Sequence, residues 1–181
     1  FQQVAAAFEG VESSLSASAG IFLGPDYHFD LTRSGIALYG GEAVNGVANP
    51  MRAVAKAEAR ILQIREAKQG QTVSYGGTLR LTRDSRLAIA SVGYADGYHR
   101  SLSGSGIPLR EMGNSGAHGF VNGHKVPIAG RVTMDLTIFD VTDLPVNAIR
   151  AGDYIELFGP NMPVDDVARA AGTIGYEMLT G

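Results

Sequence analysis

Residues 53–65 read AVAKAEARILQIR, and this stretch indicates a chain built mainly from β-strands. In a strand, every second side chain points to the same side, so an alternation of period two predicts one. One such face is formed by Val54, Lys56, Glu58, Arg60, Leu62 and Ile64. Because Ile61 breaks the alternation, we expect a twist or a β-bulge within this strand.

Further strands are predicted on the C-terminal side of this stretch. Residues 86–92 read RLAIASV, and Asn122-Gly123 separates two apolar segments, which is a strong hairpin signal because both residues tolerate a positive φ. The chain contains 24 glycines at short intervals, as is typical of short strands joined by tight turns. The other predicted strands are residues 119–121, 124–129, 134–141 and 153–158.

Helices are predicted near the two ends of the chain. Residues 1–9 are rich in alanine, and residues 163–179 open with Pro163 and the early acids Asp165 and Asp166, a pattern that starts helices. Gly172 and Gly175 argue against one unbroken helix there. Positions 97–119 are rich in Gly and Ser, and we expect a long surface excursion that is functional or mobile.

Composition excludes several classes of protein. With a formal net charge of -3 and charges scattered along 181 residues, the chain offers no basic stripe for nucleic acid. Every apolar run is interrupted well before the roughly 20 residues needed to cross a bilayer. The absence of cysteine rules out disulfides, thiolate zinc sites and cysteine nucleophiles, and fits a reducing cytoplasm. We therefore expect a soluble cytoplasmic protein, without a metal site.

The start of the chain predicts that it belongs to a larger fold. A chain of this length forms one domain, or one domain plus a fragment of another. It begins with Phe1 rather than Met, and its Ala-rich opening carries no visible secretory signal.

Two segments together can hold a phosphate or another anion. LSASAG at residues 15–20 and LTRSGIALYG at residues 31–40 combine serine hydroxyls, glycine backbone N–H groups and an arginine. From composition alone, ordinary turns explain these residues better than a phosphate site does.

Tyr75, in VSYGG, and Tyr94, in VGYADG, lie beside glycines at strand edges. A tyrosine, with an unperturbed pKa of about 10, acts as an acid or base near neutral pH only where a cation or hydrogen bonds lower that pKa. On chemistry alone, the favoured explanation is that either ring caps the end of a barrel.

The segment GRVTMD at residues 130–135 places a cation, a thioether and a carboxylate close together. Arg131 and Asp135 form either a weak surface ion pair, with Met134 as core filler, or part of an opening for a small charged substrate. Spacing does not choose between these readings, although the structural one is favoured.

Read in series, RSGIALYGG, VSYGGTLR, VGYADGYHR, GRVTMD, GDYIELFG and AGTIGYEMLTG resemble the alanine racemase family over nearly the whole chain. In that family a (β/α) barrel supplies the lysine that binds pyridoxal phosphate, and a following β-rich domain packs against the barrel of a partner subunit. The resemblance therefore implies a mainly β fold. Residues 1–40 would be a short α/β remnant of the TIM barrel, and residues 41–181 the C-terminal β-barrel-like domain.

The resemblance also implies roles for individual residues. Tyr75 resembles the catalytic acid/base that serves one face of the substrate Cα, while the absent lysine serves the other. Arg33 is similar to the residue that hydrogen-bonds the pyridine nitrogen of the cofactor without giving up its proton, and Met134 resembles one whose backbone N–H reaches the substrate carboxylate. The implied phosphate ligands are Ser18, Gly35, Ile36 and Tyr176. The residues implied to line the entryway are Tyr94, Arg100, Arg131, Asp135 and Ile174.

The implied enzyme is a homodimer that interconverts L-alanine and D-alanine for peptidoglycan synthesis, with Tyr75 and Met134 acting in the partner's site. Two residues depart from the family pattern, since Ser34 and Ala17 stand where proline and asparagine are common. The phosphate loop is therefore expected to be less rigid or less well hydrogen-bonded. No segment resembles the lysine-bearing strand, and the lysines that fail to match it are Lys56, Lys68 and Lys125. We expect the chain alone to be inactive.

Two alternatives stay open. A non-catalytic β-barrel interaction module would be a stable monomer with a well-packed N-terminal edge, whereas the racemase hypothesis predicts exposed apolar surface on residues 1 to about 40. The other alternative is an amino-acid racemase of the same fold but broader specificity. It stays open because the residues that set the size of the substrate pocket lie partly in the missing barrel.

Overall fold

The computed structural model describes residues 1–105 and 117–181. They divide into two compact units, which we call the N-terminal unit, Phe1–Val54, and the β unit, Ala55–Gly181. Much of the surface excursion predicted at positions 97–119 lies outside the described residues. The predicted division at residues 40 and 41 stays a prediction.

The N-terminal unit contains short helical segments joined by turns. Helix α1 spans Gln2–Ala5 and α2 spans Ser18–Ile21, and two 3-10 turns span Pro25–Tyr27 and Ile36–Tyr39. The helix predicted over residues 1–9 is shorter than expected because beyond Ala5 the hydrogen bonds tighten to three-residue turns, from the Ala7 N–H to the Val4 carbonyl over 3.1 Å and from the Phe8 N–H to the Ala5 carbonyl over 3.0 Å. Single β-bridges pair Ser14 with Phe29 and Ala17 with Arg33.

The β unit is built on one six-stranded sheet in the order β6-β5-β8-β1-β4-β7. An additional bridge between Ile128 and Phe139 links the two ends of the sheet, which is therefore a nearly closed barrel. The predicted mainly β fold is confirmed. The strands are β1 (Ala57–Ala67), β2 (Thr72–Val73), β3 (Leu79–Arg80), β4 (Ser85–Ala90), β5 (His118–Val121), β6 (His124–Pro127), β7 (Thr137–Asp140) and β8 (Tyr154–Phe158).

Strand β1 is central and pairs antiparallel with both β4 and β8. Its register against β4 shifts between Ile61 and Gln63, which confirms the predicted bulge. Ile61 is buried on the barrel side while Leu62 is half exposed, and beyond the bulge Ile64 packs against the core. Ile61 thus interrupts the alternating pattern because it belongs to the inner face.

The β5–β6 hairpin turns at Asn122-Gly123 as the sequence predicts. Both residues have a positive φ, 47° and 83°, which is the conformation that this dipeptide tolerates. The hairpin sets the register that pairs Val121 with His124.

Two apolar clusters stabilise the β unit. The barrel interior contains fully buried side chains such as Ile61, Phe139 and Ile155. A smaller set, Val73, Leu81, Leu87 and Ala129, packs the short β2–β3 hairpin against the sheet, and we call it the hairpin cluster. Two-residue strands give almost no alternation to detect, so sequence reasoning missed β2 and β3.

The C-terminal segment forms two helices, α3 (Val164–Ala171) and α4 (Gly175–Thr180). Gly172 ends α3 in the left-handed conformation, at φ 77°, so the helical segment predicted over residues 163–179 is interrupted there, as its glycines indicated. Within the described ranges, none of the helices combines the length and apolarity that a membrane span requires.

Candidate functional site

Tyr75 lies at the tip of the β2–β3 hairpin. It begins a 3-10 turn, Tyr75–Gly77, in which Gly76 and Gly77 have positive φ values of 73° and 56°. Ser74 precedes it at φ 66° and ψ 179°, a conformation that costs a non-glycine residue about 1–3 kcal/mol. This sharp reversal leaves the Tyr75 side chain outside the barrel core, with 72% of the residue exposed.

The turn that carries Tyr75 rests on Gly130 and Arg131. The Ser74 hydroxyl donates to the Arg131 carbonyl over 3.0 Å, which fixes the strained residue in place. A Cβ added to Gly130 would lie 2.7 Å from the Ser74 Cβ, so this close approach requires glycine. The Arg131 Nη1 lies 3.5 Å from the position of a Cβ on Gly76. The structure therefore brings the predicted residues Tyr75 and Arg131 together.

Met134 and Asp135 lie on an exposed turn rather than in a strand. The strand predicted over residues 134–141 begins only at Thr137, because Thr133 and Leu136 close a tight turn in which the Thr133 N–H donates to the Leu136 carbonyl over 3.0 Å. Met134 is 52% exposed. Its backbone N–H makes no hydrogen bond within the part of the chain that the structure describes, so a donor is available at this turn.

Tyr94 is held against the Met134 turn by backbone contacts. The Tyr94 N–H donates to the Thr133 carbonyl over 2.9 Å, and the Ala95 N–H donates to the Met134 carbonyl over 3.0 Å. Gly93 permits this approach, because a Cβ there would lie 2.1 Å from the Met134 carbonyl oxygen. Tyr94 itself is 43% exposed, so it lines the surface beside Met134.

Arg100 is connected to the same region through a buried serine. Ser103 Oγ donates to the Arg100 carbonyl and accepts from the Val132 N–H over 2.9 Å. The exposed Arg100 side chain thus starts from a backbone fixed next to residue 131. The β unit assembles Tyr75, Tyr94, Arg100, Arg131, Met134 and Asp135 on turns connected by short hydrogen bonds.

Ile174 and Tyr176 stand apart from that assembly, at the start of α4. Both are exposed, and the described contacts do not bring either side chain to Tyr75. Ser101 Oγ donates to the Ala171 carbonyl over 2.7 Å, which joins the neighbouring helix α3 to the turn that contains Arg100.

Ser18, Gly35 and Ile36 form a compact group in the N-terminal unit. The fully buried Ser18 Oγ accepts from the Gly35 N–H over 2.7 Å and from the Ala37 N–H over 3.4 Å. A hydroxyl whose lone pairs are used in this way still has its hydrogen to donate, and it finds no acceptor within residues 1–105 and 117–181. Ile36 is buried beside it. This geometry suits an anion.

Arg33 is exposed and oriented by two contacts of its guanidinium. Nη1 donates to the Ser14 hydroxyl, and Nη2 donates to the Leu15 carbonyl over 3.3 Å. The backbone is also fixed, because the Arg33 N–H donates to the Ser16 carbonyl over 2.8 Å. With five N–H groups, a guanidinium held in this way retains donors for a ligand.

Sequence reasoning missed the residues that position these side chains. Ser74, Gly93, Ser103 and Gly130 bind or support the turns through contacts between segments far apart in the chain. A serine beside a Tyr-Gly-Gly turn signals a turn, but nothing in the sequence reveals its bond to residue 131. In residues 1–105 and 117–181, no group of His, Asp and Glu residues is suited to hold a metal. The expectation that the whole chain has no metal site stays a prediction.

Comparison with known proteins identifies the family. The family model for the alanine racemase C-terminal domain matches residues 54–181, and the model for the N-terminal domain matches residues 1–43. The chain belongs to the alanine racemase family. This assignment confirms the resemblance drawn from the sequence motifs.

Relatives within the alanine racemase family match the chain from end to end. It is 85% identical to the biosynthetic alanine racemase of Agrobacterium fabrum, covering 100% of this chain and 46% of that protein. It is 66% identical to the alanine racemase of Rhizobium meliloti, covering 99% of this chain and 48% of the relative. The chain therefore spans about half the length of the curated relatives it matches.

Solved structures of alanine racemases share the fold. The crystal structure of the Bartonella henselae enzyme with covalently bound pyridoxal phosphate superposes with a TM-score of 0.83 at 41% identity. The match covers 99% of this chain and 47% of that one. The Streptomyces coelicolor enzyme matches with a TM-score of 0.81 at 31% identity, over 98% of this chain and 46% of its own.

Proposed function

We propose that this chain is the C-terminal part of a pyridoxal-phosphate-dependent alanine racemase that interconverts L-alanine and D-alanine in the cytoplasm for peptidoglycan synthesis. Tyr75 is one of its two acid/base groups. The observation that carries the proposal is the position of Tyr75, 72% exposed on a turn that Ser74 and Gly130 fix in place. A phenol that extends outside its own core from a fixed turn can act in a cavity completed by other parts of the enzyme.

The N-terminal unit fits the phosphate of the cofactor. The Ser18 hydroxyl would donate to a phosphate oxygen, while the Gly35 and Ala37 N–H groups hold the Ser18 oxygen in place. The Ile36 N–H would supply another contact, whereas the Gly35 N–H, already donated to Ser18, would act by holding that hydroxyl in place. Tyr176 is the fourth phosphate ligand that the family resemblance implies. When bound, pyridoxal phosphate withdraws electrons and makes the substrate Cα–H more acidic.

Arg33 would donate a hydrogen bond to the pyridine nitrogen of the cofactor. Its contacts with Ser14 and Leu15 orient the guanidinium before any ligand arrives. Because an arginine keeps its proton, it would leave that nitrogen unprotonated and so limit how far charge spreads into the ring.

Tyr75 and Met134 act in the site of a partner subunit in the proposed homodimer. The Met134 N–H, which has no acceptor in the described residues, would donate to the substrate carboxylate. Tyr75 would move a proton at one face of the substrate Cα, and a lysine outside this chain would do so at the other. Two groups on opposite faces are needed because racemisation inverts the carbon.

The proposed entryway combines exposed charges with exposed apolar groups. Exposed Arg100 and Asp135 and the half-buried Arg131 lie on turns connected to Tyr94 and Met134, and Ile174 immediately precedes α4. A polar opening of this kind would admit a small zwitterion such as alanine.

The surface of the N-terminal unit favours an enzyme fragment over a free-standing interaction module. The module would have a well-packed N-terminal edge, but residues of this edge such as Val4, Phe8 and Val11 are each more than 60% exposed. Large apolar side chains exposed close together in the chain are more often covered in a soluble protein. The missing barrel of the proposed racemase would supply that cover.

The test of the mechanism is Tyr75→Phe in the full-length protein that contains this chain. Loss of one acid/base group should slow proton abstraction from one alanine enantiomer by about 10²–10⁴-fold. Proton abstraction from the other enantiomer should be far less affected. Deuterium incorporation from D₂O into L-alanine and into D-alanine, measured separately by mass spectrometry, gives the two rates.

Tyr154→Phe is the matched control, because Tyr154 is 55% exposed on β8 and has no proposed role. It should leave both rates unchanged. If Tyr75→Phe abstracts the proton from each enantiomer at the same rate as the unmodified enzyme does, Tyr75 has no part in the mechanism. The same assay with other amino acids distinguishes an alanine racemase from a broad-specificity racemase.

The chain by itself is expected to be inactive, since no lysine in it matches the cofactor lysine. Incubating the purified chain with pyridoxal phosphate and assaying L-alanine to D-alanine conversion tests this. Clear turnover would overturn the inactivity, and with it the need for a second acid/base group outside the chain.

A further inference from the structure

A cavity of about 580 Å³ opens beside the β2–β3 hairpin, on the side away from the barrel interior. Its size lies within the range of pockets that bind small molecules. It is lined by strand residues of the sheet and by the hairpin itself, including Ser74 at the base of the Tyr75 turn. None of the roles proposed above uses this cavity.

Two arginines, Arg65 and Arg80, give the cavity its charge. Neither guanidinium has an ion-pair or hydrogen-bond partner in the part of the chain that the structure describes. Other arginines of the β unit are paired, as Arg83 is with Asp143 and Arg169 with Asp166. The Arg80 Nη1 lies 4.0 Å from the position of a Cβ on Gly70, which also lines the cavity.

The rest of the lining is apolar or neutral. Val73, Leu87, Ile89 and Ile138 contribute apolar surface, Gln71 and Thr72 are uncharged, and the lining residues within 1–105 and 117–181 include no acidic side chain. Val73 and Leu87 also belong to the hairpin cluster, so the cavity borders packed apolar groups. Two cations beside an apolar wall complement a molecule with an anionic head and a short apolar body.

We propose that this cavity is a binding site for a small amphiphilic carboxylate, held by Arg65 and Arg80 at its head and by the apolar wall at its body. Guanidinium groups bind carboxylates through paired N–H donors, and partial removal from water strengthens these bonds. The apolar wall supplies the preference for a molecule larger than a bare anion. The site is separate from the exposed face of Tyr75.

The test uses the full-length protein with its cofactor and saturating alanine, so that sites for the substrate carboxylate are already filled. Binding of 4-methylpentanoate is measured by isothermal titration calorimetry. Arg65→Gln and Arg80→Gln should each weaken binding by about tenfold to a hundredfold, the loss expected for a hydrogen bond to a charged group. Acetate, which lacks the apolar body, should bind at least about tenfold more weakly.

Arg83→Gln is the matched control, because Arg83 is exposed, pairs with Asp143 and does not line the cavity. It should leave the affinity unchanged. Ala67→Phe fills the cavity and should abolish binding with both arginines present. Absence of binding, or equal affinity in all the variants, would overturn the site, and equal affinity for acetate would overturn the ligand class. Since affinity is measured directly, these outcomes do not depend on whether the enzyme racemises alanine.

Discussion

The two units of the chain differ in how they bury apolar side chains. The β unit has a barrel interior in which Ile61, Phe139 and Ile155 are fully buried. The N-terminal unit leaves large apolar side chains such as Val4, Phe8 and Leu38 mostly exposed, with Ile36 and Ala37 among its few buried ones. The β unit thus has a core of its own, whereas the N-terminal unit leaves most of its large apolar side chains exposed.

This difference bears on how each unit holds its functional groups. Tyr75 and Met134 lie on turns that hydrogen bonds connect to a nearly closed barrel. Ser18 and Arg33 depend on hydrogen bonds between two short segments of the N-terminal unit. We therefore expect the turns that carry Tyr75 and Met134 to keep their geometry better than the segments that carry Ser18 and Arg33.

The largest expected effect comes from removing the same side chain in each unit. Phe139→Ala should lower the free energy of unfolding of the β unit by about 3–5 kcal/mol, because Phe139 is fully buried on β7. Phe8→Ala should change the free energy of unfolding by less than about 0.5 kcal/mol, because Phe8 is 61% exposed. Equilibrium urea unfolding of the chain measures both. A similar loss in the two variants would abolish the distinction between the units.

A smaller effect is expected from a buried hydroxyl. Thr137 is fully buried, and its Oγ1 donates to the Val92 carbonyl over 2.7 Å, just before Gly93 and Tyr94. Thr137→Val leaves that carbonyl unsatisfied and should cost about 1–3 kcal/mol in urea unfolding. Thr32→Val in the N-terminal unit is the matched control, because the Thr32 hydroxyl makes no hydrogen bond in the described ranges. Equal losses of unfolding free energy in the two variants would contradict this prediction.

The sequence predicted the features that depend on local chemistry. The alternation in β1 and its irregularity at Ile61, the Asn122-Gly123 hairpin and the interruption of the C-terminal helix near Gly172 all follow from the preferences of single residues. The predicted ends of the strands were less accurate. Met134 lies in a turn because Thr133 bonds to Leu136, a competition that alternation does not reveal.

The site was predictable mainly through family resemblance, because the contacts that assemble it join distant segments. Ser74 meets Arg131, and Ser103 meets Val132, through hydrogen bonds that no local pattern indicates. The positive φ of Ser74 was equally hidden, since serine rarely adopts it. The residues Tyr-Gly-Gly alone indicate a turn, whereas the residues that this turn contacts depend on how the barrel folds.

The smallest expected effect is a pH dependence confined to the β unit. His118, half-buried at the start of β5, has its pKa lowered from the ordinary value of about 6.5 by burial and by the positive charge of Lys125. Between that lowered pKa and about 6.5 the unfolded chain binds more protons than the folded chain, so stability rises with pH across this window and falls on acidification through it. His118→Gln should flatten this slope in urea midpoints measured from pH 5 to pH 8, while replacing the exposed His124 with glutamine should not. An unchanged slope in His118→Gln would mean that burial and the Lys125 charge do not disfavour the charged form of His118.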